Sequence, residues 1–133
     1  MPHLILDHSQ NLAIQTDLQA LCDRVRDAAL ETGLFELGAL RVRAHAAGAF
    51  TVADGLADNA YLHLTVAIGA GRSADQKRRA GDHVWAALTD QLAPLLAGAH
   101  FALTMEWREI DPELSWKQNA IHPRIRAEKE SQP

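Results

Sequence analysis

The sequence predicts an α/β (α+β) domain built as a tandem βαβ repeat, in which a four-stranded mixed sheet carries two helices on one face. Three observations predict it. Four short segments alternate apolar and polar residues with the two-residue period of a strand. Two longer segments put their apolar residues on a single helical stripe. The order strand–helix–strand then occurs twice, in halves of similar length, and right-handed crossovers place both helices on the same side.

The elements follow in order. His3 to His8 reads as a strand with Leu4 and Leu6 on one face and His3, Ile5 and Asp7 on the other. Ser9-Gln10-Asn11 is a polar loop. Thr16-Asp17-Leu18-Gln19 has the form of a capping box, with Thr16 and Gln19 satisfying free backbone donors. Leu18, Leu21, Cys22, Val25, Ala28 and Ala29 form the stripe of the first helix, and Gly33 is its stop. Leu40 to Ala46 alternates, with Leu40, Val42 and Ala44 opposed to Arg41, Arg43 and His45. A loop rich in Gly, Ala and Asp fills Ala46 to Asn59.

The second unit repeats this order. Tyr61 to Ile68 is a strand with Leu62, Leu64, Val66 and Ile68 on one face. Gly69-Ala70-Gly71-Arg72 is a tight turn, and Ser73-Ala74-Asp75-Gln76 is a second capping box. Ala80, Val84, Leu88 and Leu92 form the second stripe, which Pro94 kinks or ends. Phe101, Leu103, Met105 and Trp107 alternate as the last strand. With both helices on one face, the opposite face mixes polar and apolar residues and calls for burial by other subunits. Leu114, Trp116, Ile121 and Ile125 make the tail from Pro112 to Arg126 too apolar for a loose end, so it is expected to form a hairpin or an arm at a subunit interface. Residues 1–126 are thus read as one domain, and the polar stretch Ala127 to Pro133 as a disordered tail.

Composition narrows the function. The 133 residues are 47% hydrophobic and 23% charged, which suits a globular domain with a real core. A formal net charge of −4 argues against general nucleic-acid binding, which needs a basic field. No stretch approaches the roughly 20 apolar residues of a membrane span, and the start lacks the basic flank of a signal peptide. The expected location is cytoplasmic. Cys22 is the only cysteine, so neither an internal disulfide nor a thiolate cluster is available; on the apolar stripe it reads as an inert core residue. The seven histidines show no ligand spacing, and no metal site is expected.

Pro2 is the first candidate for chemistry. Initiator methionine is generally removed before a small residue, and removal here exposes a secondary amine at the start of a strand. An α-amino group titrates near ~7.7–8.0, and burial beside arginines lowers that value. The product is a rigidly held base suited to proton abstraction next to a carbonyl. If Met1 is retained, the Pro2 nitrogen is an amide and cannot act. Arg41 and Arg43 share a strand face, and arginine forks bind carboxylates; Arg43 reads as an ordinary ion-pairing residue. Arg72 precedes the second helix, where free backbone donors favour an anion. Ser73 is a cap and not a nucleophile, and Lys77-Arg78-Arg79 is a solvated helix face.

Taken together these pieces resemble the 5-carboxymethyl-2-hydroxymuconate Δ-isomerase family of the tautomerase superfamily. The resemblance runs through Pro2-His3, Thr32-Gly33-Leu34-Phe35, Arg41-x-Arg43-x-His45, Ala53-Asp54-Gly55, Ile68-Gly69-Ala70-Gly71-Arg72-Ser73 and Lys117-Gln118-Asn119. It implies a homotrimer with active sites between subunits, in aromatic catabolism. It implies Pro2 as the general base moving a proton in a dienolic or unsaturated 2-oxo or 2-hydroxy di- or tricarboxylate. It implies Arg41 and Arg72 as substrate-binding residues, with Lys117 and Trp116 as further candidates from the tail. The partner is then a small-molecule carboxylate, and neither cofactor nor metal is required. Three other readings stand beside it: another activity of the superfamily (phenylpyruvate-type tautomerisation, decarboxylation or dehalogenation), a non-catalytic ferredoxin-like binding module, and a structural oligomer.

Overall fold

The structure, a computed structural model, describes residues 2–131. Strands β1 (His3–Ser9), β2 (Arg41–Ala47), β3 (Ala60–Gly69) and β4 (Phe101–Ile110) form one sheet in the order β2-β1-β3-β4. The β1–β2 and β3–β4 pairs are parallel, and the central β1–β3 pair is antiparallel. Each parallel pair is bridged by a helix, α1 (Leu18–Glu31) or α2 (Ala74–Gln91), as a parallel crossover demands. The two units therefore join back to back at the middle of the sheet.

The register puts Leu4 opposite Val42 and Val66, and Leu6 opposite Ala44 and Leu64. These side chains share the helical face. Leu4, Leu6, Leu62, Leu64, Val66 and Ile68 are fully buried there against Leu21, Val25, Val84 and Leu88. Truncating one of these leucines to alanine costs ~2–5 kcal/mol, the lost transfer energy plus a cavity. On the other face His3, Ile5, Tyr61, His63 and Thr65 remain only half-buried, because no element of the described residues covers them.

Local signals explain most boundaries. Ser73 and Gln76 make the reciprocal bonds of a capping box at the start of α2. At α1 the expected box is displaced by one residue. Asp17, not Thr16, is the cap and accepts from the Ala20 amide at 3.0 Å, while Gln19 turns outward to Asp23. A carboxylate is as good an acceptor as a hydroxyl, and Asp17 is the residue with extended backbone. Gly33 follows α1 with φ of +76°, a conformation that costs a residue with a Cβ, and redirects the chain into Leu34 and Phe35. Ser9-Gln10-Asn11 does not stay a loop, because a 3-10 turn over Gln10–Ile14 buries Leu12. Pro94 sits in a separate short helix, α3 (Ala93–Leu96), after the end of α2.

The tail differs most from expectation. It forms no hairpin. A 3-10 turn (Pro112–Leu114) leads to a helix, α4 (Ile121–Glu130), which packs on the 3-10 turn Leu37–Ala39 of its own chain. Helix α4 continues through Ala127–Glu130, where disorder was expected from composition. An Arg124–Glu128 pair at i,i+4 spans that stretch, and Ser131 Oγ donates to the Glu128 carbonyl. Met1, Gln132 and Pro133 lie outside the described residues. Among the described residues, no helix is long and apolar enough to cross a membrane.

Candidate active site

A cleft of ≈ 380 Å³ opens where β1 begins, with the buried Pro2 in its wall. Leu34, Phe35 and Glu36 enter it from the segment after α1, and Ala39 from the following 3-10 turn. Arg72 enters from the β3–α2 connection, and Lys117, Asn119 and His122 from the tail. Four stretches far apart in sequence thus converge on one opening.

Arg72 is held in a fixed pose. Its Nη1 donates to the Gly69 carbonyl at 3.1 Å and its Nη2 to the Leu34 carbonyl at 2.9 Å. The guanidinium lies 5.3 Å from the centroid of the Phe35 ring, and Phe35 in turn tilts against Trp107 with centroids 6.4 Å apart. A cation over an aromatic face is attracted by the ring quadrupole, and the stack limits rotation. Two of the five guanidinium N–H groups are used, so three are left to meet an anion. A lysine at this position would lose both the stack and the fork geometry.

The tail wall is built on one close approach. Gly38 is buried against α4, and a Cβ there would lie 2.6 Å from Nδ1 and 3.1 Å from Cα of His122. Only glycine lets the first turn of α4 sit this near. Asn119 Nδ2 donates to the Gly38 carbonyl at 2.8 Å, and its Oδ1 accepts from the amides of Ile121 and His122 at 2.8 and 3.1 Å. Asn119 therefore caps the helix that it ties down. Pro123 falls in the first turn, where its missing N–H costs nothing.

Among the described residues, Glu36 is the one acid in the cleft wall. Both its oxygens accept from Arg126 Nη2, at 3.0 and 2.8 Å, and Nδ1 of His122 lies 3.5 Å from its Oε2. The Arg126 bond, with smaller help from the charges of Arg126 and His122, holds the Glu36 carboxyl below the ordinary carboxylate range. Glu36 is neutralised in this way, which leaves Arg72 and Lys117 to set the charge of the opening.

The structure brings Pro2, Arg72 and Lys117 of the expected site residues to this cleft. Arg41 is not among its lining residues. It lies opposite His3 on the open sheet face and donates from Nη1 to the carbonyl of Ala39, at the cleft margin, at 3.1 Å. Arg43 contacts His3, with Nη1 3.2 Å from the imidazole Nδ1. Burial, then the charges of Arg43 and Arg41, lowers the His3 pKa. Trp116 is 86% exposed and takes no part in the cleft of this chain. Cys22 is half-buried against the core and not within it, and burial raises its thiol above the ordinary range.

Phe35, Glu36, Asn119 and His122 were not singled out as site residues from the sequence. Phe35 and Asn119 sit in motifs that carry the resemblance, Thr32-Gly33-Leu34-Phe35 and Lys117-Gln118-Asn119. Nothing in a linear pattern pairs Glu36 with a histidine and an arginine at the far end of the chain.

Known proteins resemble this chain over nearly its whole length. The profile of the 5-carboxymethyl-2-hydroxymuconate isomerase family matches residues 2–125. The chain is 36% identical over 122 residues to a 5-carboxymethyl-2-hydroxymuconate Delta-isomerase of Escherichia coli, covering 92% of this chain and 97% of that one. A crystal structure of a 5-carboxymethyl-2-hydroxymuconate delta-isomerase superposes with a TM-score of 0.87 at 30% identity, covering 94% of this chain and 93% of the other. A 5-carboxymethyl-2-hydroxymuconate isomerase from Deinococcus radiodurans R1 superposes with a TM-score of 0.86 at 33% identity, covering 93% of each. The chain therefore belongs to the 5-carboxymethyl-2-hydroxymuconate isomerase family and is an isomerase on the tautomerase fold.

Proposed function

We propose that this protein isomerises a dienolic or unsaturated 2-oxo or 2-hydroxy di- or tricarboxylate in aromatic catabolism, with the amine of Pro2 as general base. The observation that carries the reading is the meeting of Pro2, Arg72 and Lys117 in one cleft. A base, the fixed guanidinium of Arg72 and a second cation are what a polyanionic enol needs.

With Met1 removed, Pro2 offers a secondary amine whose ring cannot swing away. Its surroundings are partly desolvated, and two cations share the cleft. Both effects disfavour the ammonium and bring the amine below its ordinary range of ~7.7–8.0. Pro2 takes a hydroxyl or allylic proton, and its conjugate acid returns one to a carbon further along the conjugated chain. Arg72 and Lys117 hold carboxylates and stabilise the charge that builds on the enolate. They also fix the pose against a base that has little freedom to search. Arg41 is assigned to a second carboxylate from the cleft margin, supported by its bond to Ala39.

A homotrimer completes the picture. The half-buried sheet face with Ile5, Tyr61, Thr65 and Ala67 suits burial against other copies. Exposed Leu114 and Trp116 suit a tail that reaches a neighbour. Turnover of a panel of 2-hydroxydienoates, 2-oxo acids and halogenated acrylates, followed by ultraviolet absorbance, tests the reading. Ketonisation of di- and tricarboxylate dienols well ahead of the rest is expected. Preference for dehalogenation or for a monocarboxylate enol would assign a different reaction to the cleft.

A further inference from the structure

We infer that Trp107, a strand residue outside the cleft, sets the carboxylate-binding pose of Arg72 through the ring of Phe35. The inference rests on the reading of Arg72 as a carboxylate ligand and goes beyond it, because it makes Phe35 and Trp107 positioning residues of the same reaction.

Arg72 is held from two sides. The Gly69 carbonyl belongs to its own turn, whereas the Leu34 carbonyl and the Phe35 ring both belong to the segment after α1. Residues 34–36 lie in no helix or strand, so no ladder of backbone bonds fixes them. What backs them is Trp107. Its ring meets Phe35 at 35° with centroids 6.4 Å apart, within the range where aromatic pairs attract. Trp107 stands on β4 opposite Val66, and α2 packs on it closely enough that a Cβ on Gly81 would lie 3.7 Å from the indole Nε1. A side chain seated on a strand and packed by a helix is a firmer reference than an irregular segment. Nε1 itself is buried and has no hydrogen-bond partner among the described residues. A donor left in that state costs stability, so what Trp107 contributes it contributes as a ring. Trp107 is not among the residues that line the cleft. Its route to the site is through Phe35 and Arg72.

The plane of the guanidinium is what the stack controls. A bidentate pair needs two parallel N–H bonds in the plane of the carboxylate, and a tilted guanidinium keeps the charge but loses one of them. The face of Phe35 holds the Arg72 plane. Trp107 stops Phe35 from turning and keeps the Leu34 carbonyl, on the neighbouring residue, within reach of Nη2. Removing the Trp107 ring therefore loosens two of the three holds on Arg72 while Pro2 and Lys117 stay in place. The cost falls on recognition of the carboxylate that Arg72 meets, and it disappears when Arg72 itself is absent.

The test uses the full chain with its N-terminal proline free. Trp107→Leu removes the ring and is expected to lower kcat/KM on a dicarboxylate dienol about tenfold. The dissociation constant of a saturated dicarboxylate of the same length, measured by calorimetry, should rise by a similar factor. Trp107→Phe keeps a ring and is expected to stay within about threefold of wild type. In an Arg72→Ala background Trp107→Leu should change kcat/KM by less than about twofold, because the group it positions is gone. Phe35→Leu leaves β4 intact and should show the same loss and the same dependence on Arg72, so it carries the test if circular dichroism shows that Trp107→Leu does not fold. Leucine variants within about twofold of wild type would overturn the proposal. So would a loss that persists undiminished in the Arg72→Ala background, which is the signature of a merely structural ring, and so would a Trp107→Phe variant as impaired as Trp107→Leu. Wild type that neither turns over any dienol nor binds the dicarboxylate would overturn this proposal together with the isomerase reading. Wild type that binds the dicarboxylate without turnover would overturn the isomerase reading alone, and the same ratios, read from the dissociation constants, then decide this one.

Discussion

Asn119 donates from Nδ2 to the carbonyl of Gly38 at 2.8 Å across 81 residues of sequence. The same side chain caps α4 through its Oδ1. One amide thus fixes the register between the tail and the turn that leads into β2. Lys117 and His122, which flank it, take their positions in the cleft from that tie.

Gly38→Ala tests the tie. The new Cβ would meet the backbone of His122 at 3.1 Å, and backbone cannot rotate away as a side-chain end can. The first turn of α4 must move. A shift of ~1 Å at a catalytic wall can cost about 100-fold in rate. We expect kcat/KM to fall by roughly that factor while the melting temperature moves by only a few degrees, because the core between sheet and helices does not include α4. Loss of the sheet signal by circular dichroism would show that the turn belongs to the folding core instead.

Arg72→Ala removes a charged hydrogen-bond donor that is already oriented by Gly69, Leu34 and Phe35. Losing one such bond to substrate costs ~1.5–3 kcal/mol, or roughly ten- to a hundredfold in kcat/KM. Arg72→Lys should recover only part, since the charge returns without the fork. Arg41→Ala is expected to harm turnover as well, and Arg43→Ala much less, since Arg43 contacts His3 away from the cleft. Steady-state kinetics with a dicarboxylate dienol ranks the four. An Arg43 effect equal to that of Arg72 would contradict the assignment.

The Glu36–Arg126 bond predicts a pH dependence for the docking of α4. The folded carboxyl lies below its unfolded value, so its contribution is complete above the ordinary carboxylate value of ~4.3 and is lost as pH falls through the lower folded value. Both partners are exposed, so the effect is confined to the local helix. Hydrogen exchange should show backbone amides of residues 121–130 losing protection in that acid window before those of β1 and β3 do. Arg126→Ala should lower that protection already at neutral pH and flatten its pH dependence across the window. Equal protection for wild type and variant across the window would rule the bond out as a determinant.

Assembly is tested on the open sheet face. Ile5 lies there in the middle of β1, between Arg43 and Thr65 in register. Ile5→Asp puts a charge into a surface proposed to be shared by three copies, and desolvating it is costly. Light scattering at micromolar concentration should give a trimer for wild type and smaller species for the variant, with helix content retained. A monomeric wild type would remove the trimer from the account. Deleting residues 112–133 should also weaken assembly, but it strips Lys117, Asn119 and His122 from the cleft at the same time. It is therefore the less specific probe.

Much of this fold was legible from short-range pattern. The alternation at Leu4/Leu6 and at Leu62/Leu64/Val66/Ile68 reports a sheet with only one face packed by its own chain, and the observed burial follows it residue by residue. Ser73 and Gln76 marked a helix start because both halves of a capping box lie three residues apart. Asp17 was missed in favour of Thr16, since two good caps stood side by side and only backbone geometry decides between them. The helix of the tail was not foreseen because its order comes from distant groups. Gly38, Glu36 and Asn119 hold α4 in place, and none of these contacts has a local signature. For the cleft, chemistry and resemblance pointed to Pro2, Arg72 and Lys117, which line it together, whereas the Glu36–His122 pair needed the folded chain.

The central claim is that the Pro2 amine is the base. It is tested most directly by measuring kcat/KM against pH on a 2-hydroxymuconate-type dienol for protein that intact mass shows to begin at Pro2. The same protein with Met1 retained serves as the control. We predict a profile that rises through one ionisation below the ~7.7–8.0 of a free α-amino group and no turnover by the Met1-bearing form. Full activity from protein whose Met1 is intact by mass would contradict the account, because the lone pair of an amide nitrogen is delocalised into its carbonyl and cannot accept the proton.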